Sequence, residues 1–277
     1  MVLPALAYFA VFTYYPLGHA LVISLQKYNL IGFRPFIGLN NYHTALTNGS
    51  FWRDFINTIF LGTGMIVIGF FAPIVMALSL HEVLTLWIRR TFQLVVYLPS
   101  LFSWVVVGGL WIEILNPTGG LVNAVLHLFG VHSVSFMTDP TVARWTIVLV
   151  SVWKDAGFNT IIYLAALSGI NPSLYEAART DGANHWQETL AITIPSLVGT
   201  MRIVLLLSVM GVLSMFDEIY VMRNAVIEPQ VNVLMTYVYD HGFLLFNIGE
   251  ATAAAVLILV MNLALTIVVR RLVRYDL

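Results

Sequence analysis

An all-α protein that crosses a membrane about six times is the fold class this sequence predicts, and three observations predict it. Hydrophobic residues make up 59% of the chain and charged residues 10%, with a mean hydropathy of +0.86, well outside the range of soluble domains. Six apolar runs approach or exceed the roughly 20 residues that a helix needs to cross hydrocarbon. Between the fourth and fifth of them stands a dense polar patch, Asn171 to Pro195.

The runs extend approximately over Leu3 to Leu25, Ile56 to Leu80, Phe92 to Leu115, Val142 to Ser168, Leu197 to Val221 and Ile248 to Val269. The first lacks a basic leader and is longer than a signal-peptide core, so it reads as a spanning helix. Pro73 and Pro99 fall inside the second and third runs, where each removes a helical hydrogen bond and is expected to kink its helix. The whole chain, residues 1–277, reads as a single transmembrane domain, with a polar loop at about 171–196.

An even number of spans places both termini on one side of the membrane. Arg270, Arg271 and Arg274 lie in the tail, Arg89 and Arg90 in the loop after the second span, and Arg179 and Arg202 in or near the patch. The opposite side carries Lys27, Arg34, Arg53, Arg144 and Arg223, spread over longer loops. The bias favours cytoplasmic termini and a cytoplasmic patch.

Several function classes are excluded or weakened by composition. A net charge of −1 offers no broad basic surface for nucleic acid, and the absence of cysteine removes disulfides and thiolate chemistry. The seven histidines form no metal-ligand pattern, so no metal site is expected. Carboxylates such as Glu113 and Asp139 are not placed as an acid–base pair, and no serine sits in a nucleophile elbow. No G-x-x-x-x-G-K-[ST] phosphate loop occurs, so any nucleotide chemistry must belong to another polypeptide.

Within the patch, Ser173-Leu174-Tyr175-Glu176 fits a capping box that would start a short helix. Gly182 is suited to the left-handed conformation that ends one. Asn184-His185-Trp186-Gln187 resembles a second capping start, and Pro195 is expected to interrupt or bend the chain as it re-enters lipid. Helix, sharp turn and second helix result. Ala177, Ala178 and Gly182 leave room for close approach, while Tyr175, Trp186 and Leu190 offer apolar anchors. Without further information this would be an amphipathic hairpin at the membrane surface.

Glu176-Ala177-Ala178, then Asp181-Gly182-Ala183, then Ile192-Thr193-Ile194-Pro195 resemble the cytoplasmic-loop signature of permease subunits of ATP-binding-cassette (ABC) importers, with Ile194 in place of leucine. Further stretches resemble the carbohydrate-uptake branch of maltose-type and glycerol-3-phosphate-type permeases. They are Phe36-Ile37-Gly38-Leu39-Asn40-Asn41-Tyr42, Tyr97-Leu98-Pro99 with Trp111, Gly119-Gly120-Leu121-Val122-Asn123, Val152-Trp153-Lys154 and Phe216-Asp217-Glu218-Ile219-Tyr220. The sequence departs from that family at Arg223-Asn224-Ala225-Val226-Ile227-Glu228-Pro229, where a Gly-Gly-Pro is common.

The resemblance implies an importer in the bacterial or archaeal cytoplasmic membrane, in which two related permeases form the pathway. Two ATPase subunits bind their cytoplasmic loops, and an extracytoplasmic binding protein delivers a sugar or sugar-like solute. Glu176, Ala177, Ala178, Asp181 and Gly182 are then coupling residues, not catalytic ones. The chain itself needs no cofactor, because ATP and magnesium would reside on the partner.

Charges inside a bilayer are costly and usually face a pathway or pair with one another. Lys154 and Asp155 fall near the middle of the fourth span. Adjacent helical residues point about 100 degrees apart, so no close pairing is expected between them, and one can line the route while the other bonds a neighbouring span. Interhelical bonding without solute contact is the competing explanation. Asn159 lies near them on helical spacing, and Trp153 beside them. Asp217 and Glu218, near the outer end of the fifth span beside Phe216 and Tyr220, offer carboxylates and rings of the kind that hold sugars. A solvated helix end and an interfacial aromatic belt look the same in sequence. An ion-gradient-driven secondary transporter is the alternative class; it would use a carboxylate such as Asp155 for coupling, and no internal repeat supports it.

Overall fold

The computed structural model describes residues 3–28, 33–83 and 85–272, so Arg274 of the tail lies outside the described residues. The described residues are overwhelmingly helical, with one isolated bridge between Gln26 and Phe36. Among the described residues, five helices are long and apolar enough to cross a membrane: Leu3–Ser24, Gly49–His81, Pro140–Ser168, His185–Val212 and a last one at Ile248–Leu272. A sixth crossing is made by two helical pieces, Leu86–Leu101 and Trp104–Ile114, bent by 103°.

The count of six crossings rests on what the ends touch. Arg144, in the first turns of Pro140–Ser168, bonds Asn57 in the first turns of Gly49–His81 at 2.7 Å, so these two helices begin at the same end of the bundle. Glu82, just past the end of Gly49–His81, lies 2.8 Å from His185 in the patch. The chain between residues 82 and 139 must therefore return from the patch end to the opposite end. Asn41 donates to the carbonyls of Ser24 and Gln26 at 2.8 and 2.9 Å, and Tyr42 meets Ser24 at 2.7 Å. The Phe36-to-Tyr42 stretch thus ties down the end of the first span.

Three expected boundaries are corrected. The third run is not one helix: Phe102 and Ser103 are extended, with ψ of 147° and 155°, and Pro99 lies in a 3₁₀ turn, Leu98–Leu101, just before the break. Apolar side chains flank the break on both sides, so hydropathy cannot show it. Its helix also begins at Leu86, which puts Arg89 and Arg90 on the helix and not in a loop. The fifth span begins earlier, at His185, and ends at Val212. Asp217 and Glu218 consequently belong to a separate short helix, Asp217–Met222.

The prolines behave differently from one another. Pro73 is buried within an unbroken 33-residue helix. Pro195 does not interrupt its helix either, because a π turn at Thr189–Thr193 immediately precedes it. Widening the backbone by one residue there relieves the clash that a proline ring makes with the preceding turn.

The fourth span, Pro140–Ser168, is the most buried and forms the axis of the bundle. Its Ile147, Val148 and Val152 pack with Leu61, Val212, Ile219 and Met222 toward one end, and Tyr163, Leu164 and Leu167 pack with Ile74, Ala77 and Leu197 toward the other. At Gly157 the third crossing packs directly on this span: a Cβ placed there would overlap the Val96 carbonyl and crowd the Tyr97 Cα at 2.8 Å. Only glycine permits that backbone contact.

Candidate coupling patch and solute cavity

The patch folds as helix, turn and helix. Pro172–Thr180 is capped by Asn171, whose side chain accepts from the Ser173 amide at 3.1 Å, with Pro172 in the first turn. The expected capping box at Ser173 is therefore wrong by two residues. Asn171 already holds the cap, and proline suits the first helical position, where its missing N–H costs nothing. The helix ends as Gly182 allows. Its φ is +84°, the Ala183 amide reaches the Ala178 carbonyl at 2.9 Å, and the Gly182 amide reaches the Arg179 carbonyl at 3.1 Å, the paired bonds of a Schellman ending. The second capping start is present at Asn184, with reciprocal bonds to Gln187 of 3.0 and 2.8 Å.

A charge clamp that sequence reasoning overlooked holds the two helices together. Glu188 is 4% exposed, and Arg179 donates to it through Nε at 2.7 Å and a terminal nitrogen at 3.3 Å. That bonding raises the Arg179 pKa further above its ordinary value. Tyr175 meets Thr193 at 3.0 Å. Glu176, Ala177, Asp181 and Gly182 remain exposed, Ala178 is half-buried, and open space lies beside Gly182. Trp186 and Leu190 are exposed apolar side chains of the second patch helix and the π turn that follows it.

Deeper in the bundle a cavity of about 570 Å³ lies between the second, third, fourth and fifth helical crossings and the Asp217–Met222 helix. Asp155, Asn159 and Glu218 line it; Trp153, Lys154 and Asp217 do not. Asp155 presents a side chain that is 62% exposed. Lys154 lies behind it, 8% exposed, with its ammonium 3.7 Å from the Asp155 carboxylate and 5.0 Å from the centre of the Trp104 ring. The two neighbours do meet, contrary to the expectation from the helical angle, because the flexible lysine stem folds round to the carboxylate. Trp153 is exposed and packs edge to face on Trp111, with centroids 5.3 Å apart.

At the end opposite the patch, Phe216, Tyr220 and Tyr239 cluster with centroids 4.9 to 5.4 Å apart. Arg223, in the segment that departs from the family pattern, makes a two-pronged ion pair with Asp240, both bonds 2.7 Å. Its neighbour Asn224 bonds the Met137 carbonyl at 2.7 Å. In sequence Arg223 reads only as a loop charge, since nothing local signals a partner 17 residues away.

Six helical crossings, an internal cavity that sets a few polar groups among apolar side chains, and an exposed helix-turn-helix at one end define a transmembrane transport subunit. Residues 66–275 match the family described as binding-protein-dependent transport system inner membrane component. The chain is 32% identical to the polygalacturonan/rhamnogalacturonan transport system permease protein YteP of Bacillus subtilis, over 99% of this chain and 86% of that one. It is 30% identical to the trehalose/maltose transport system permease protein MalF of Thermococcus litoralis, over 99% and 92%. Among solved structures, a chain of a bacterial ABC transporter involved in the import of the acidic polysaccharide alginate superposes with a TM-score of 0.92, at 33% identity over 99% of this chain and 93% of that one.

The chain belongs to this family of inner-membrane components: it is a permease subunit of an ABC importer, not itself an enzyme. ATP hydrolysis in such importers is carried by separate nucleotide-binding subunits. This membership replaces the ion-gradient alternative.

Proposed function

We propose that this chain forms half of the transmembrane pathway for a saccharide and transmits the work of two ATPase subunits through its Asn171-to-Pro195 patch. The observation that carries this reading is a short covalent route. The patch joins the fourth span to the fifth, and those two spans supply Asp155, Asn159, Leu207 and Ser208 to the cavity wall. A displacement of the patch therefore acts on two walls at once.

In this reading Glu176, Ala177, Ala178, Asp181 and Gly182 form the ATPase contact, and ATP with magnesium stays on that partner. Asp155 and Asn159 face solute, Lys154 positions Asp155, and Trp153 and Asp217 lie outside the cavity, on surface that a second permease closes. The patch end is cytoplasmic, in keeping with Arg89, Arg90, Arg179, Arg270 and Arg271 there. A binding protein delivers solute at the opposite end, as in the related alginate importer, solved in complex with its pentasaccharide-bound periplasmic protein. Names among the relatives cover polygalacturonan, arabinooligosaccharides, trehalose and maltose; saccharide chemistry is common to them and charge is not.

Uptake into proteoliposomes holding the complete assembly tests this reading. Solute entry should require ATP and the binding protein, and Glu176→Ala should lower solute-stimulated hydrolysis without loss of the patch fold, since its carboxylate caps nothing. Uptake that tracks an imposed ion gradient in the absence of ATP would refute it.

A further inference from the structure

The cavity wall has a distinctive chemistry. Ser100, Ser208 and Asn159 bring hydroxyls and an amide, Asp155 and Glu218 bring carboxyl groups, and among the described residues no lysine, arginine or histidine lines it. Ser151 is 4% exposed and its hydroxyl has no hydrogen-bond partner. Helical serines commonly bond the carbonyl one turn back, as Ser208 does to Val204 at 2.9 Å. The Ser151 hydroxyl is enclosed by protein, so the polar groups that solute meets are those of Ser100, Ser208, Asn159, Asp155 and Glu218.

Lys154, whose ammonium lies behind Asp155, offsets one of the two carboxylates and does not itself line the cavity. Resting on the saccharide reading above, we infer that the cavity accepts uncharged saccharide rings and rejects those bearing carboxylate or phosphate. Asp155 and Glu218 are the specificity-determining residues. Carboxylates and hydroxyls pair well with sugar hydroxyls. A solute anion would lose its hydration, find no cation on the wall that this chain contributes and face like charge. Unit charges about 6 Å apart at an effective dielectric near 20 repel by an amount that corresponds to roughly a hundredfold in affinity, and the offset from Lys154 leaves about tenfold or more. Protonation of either carboxyl group removes its repulsion but supplies no cation.

The test uses the assembled transporter in lipid nanodiscs without its binding protein, titrated with trigalacturonate, with the methyl-esterified form of the same trisaccharide, and with maltotriose. Saturation-transfer NMR reads binding, and gel filtration confirms each variant's assembly. At least one uncharged sugar should bind, and the ester should bind at least about tenfold tighter than the acid. Glu218→Gln and Asp155→Asn should narrow that gap by raising affinity for the acid. Equal affinity for acid and ester, or a gap that neither charge substitution changes, overturns the filter and leaves the saccharide reading standing. Binding of none of the three overturns the saccharide reading and the filter with it.

Discussion

Arg179, on the first patch helix, donates at 2.7 Å to Glu188, buried at the start of the fifth span. The pair ties the exposed first patch helix to a helix that reaches the cavity, across the turn at Gly182. Arg179→Ala leaves the Glu188 carboxylate without its main partner and should loosen the two helices. Solute-stimulated ATP hydrolysis should fall while the spans still insert. Arg179→Lys, which keeps the charge but not the forked geometry, should fall between parent and alanine. A parent-like ratio of uptake to hydrolysis in Arg179→Ala would show that the clamp plays no part in coupling.

Gly157 packs directly against the Val96 carbonyl, bringing the third and fourth crossings into backbone contact. Gly157→Ala should cost about 1–3 kcal/mol, the usual penalty for overpacking a tight contact. Lower thermal stability in detergent is the readout. Gly109→Ala, on the third crossing but with open space around it, serves as the control and should be neutral or slightly stabilising through helix propensity.

What sequence made legible, and what it hid, divides along physical lines. Spans are legible because a lipid-facing helix must be apolar for its whole length, and Gly182 because left-handed backbone has few other occupants. The break at Phe102 and Ser103 is hidden because the residues on both sides are equally apolar. Asn171-Pro172 did carry the signal for the helix start, and Ser173 drew attention from it only by fitting a second rule. In the cavity, Asp155, Asn159 and Glu218 come from helix positions that sequence can flag by charge or polarity. Ser151 and the Arg179–Glu188 clamp depend on packing between segments, which single-sequence periodicity does not encode.

Lys154 and Asp155 separate two roles that the sequence left joined. Lys154 is buried beside Trp104 and away from the cavity, whereas Asp155 faces it. Lys154→Met should therefore reduce assembly yield and uptake together, because it removes a buried cation that contacts both Asp155 and the Trp104 ring. Asp155→Asn should change uptake kinetics more than yield. Parallel measurement of both quantities decides it: a matching fall in yield for Asp155→Asn would make that residue structural.

Gly182 tests the coupling surface itself, because its two properties can be separated. Its φ of +84° disfavours any side chain, most of all a β-branched one, and yet nothing inside the chain occupies the space beside it. Gly182→Val should strain the Schellman ending by roughly 1–2 kcal/mol and also put bulk on the docking face. Gly182→Asn relieves much of the backbone strain, since asparagine tolerates the left-handed region, but it retains the bulk. If backbone shape alone matters, asparagine should restore ATPase capture in a pull-down and solute-stimulated hydrolysis. If close approach of a partner matters, both variants should insert normally and both should lose capture. The second outcome is the one expected here, because the open space at Gly182 has no structural use within this chain. Parent-like uptake and hydrolysis by Gly182→Val would show that the ATPase docks elsewhere.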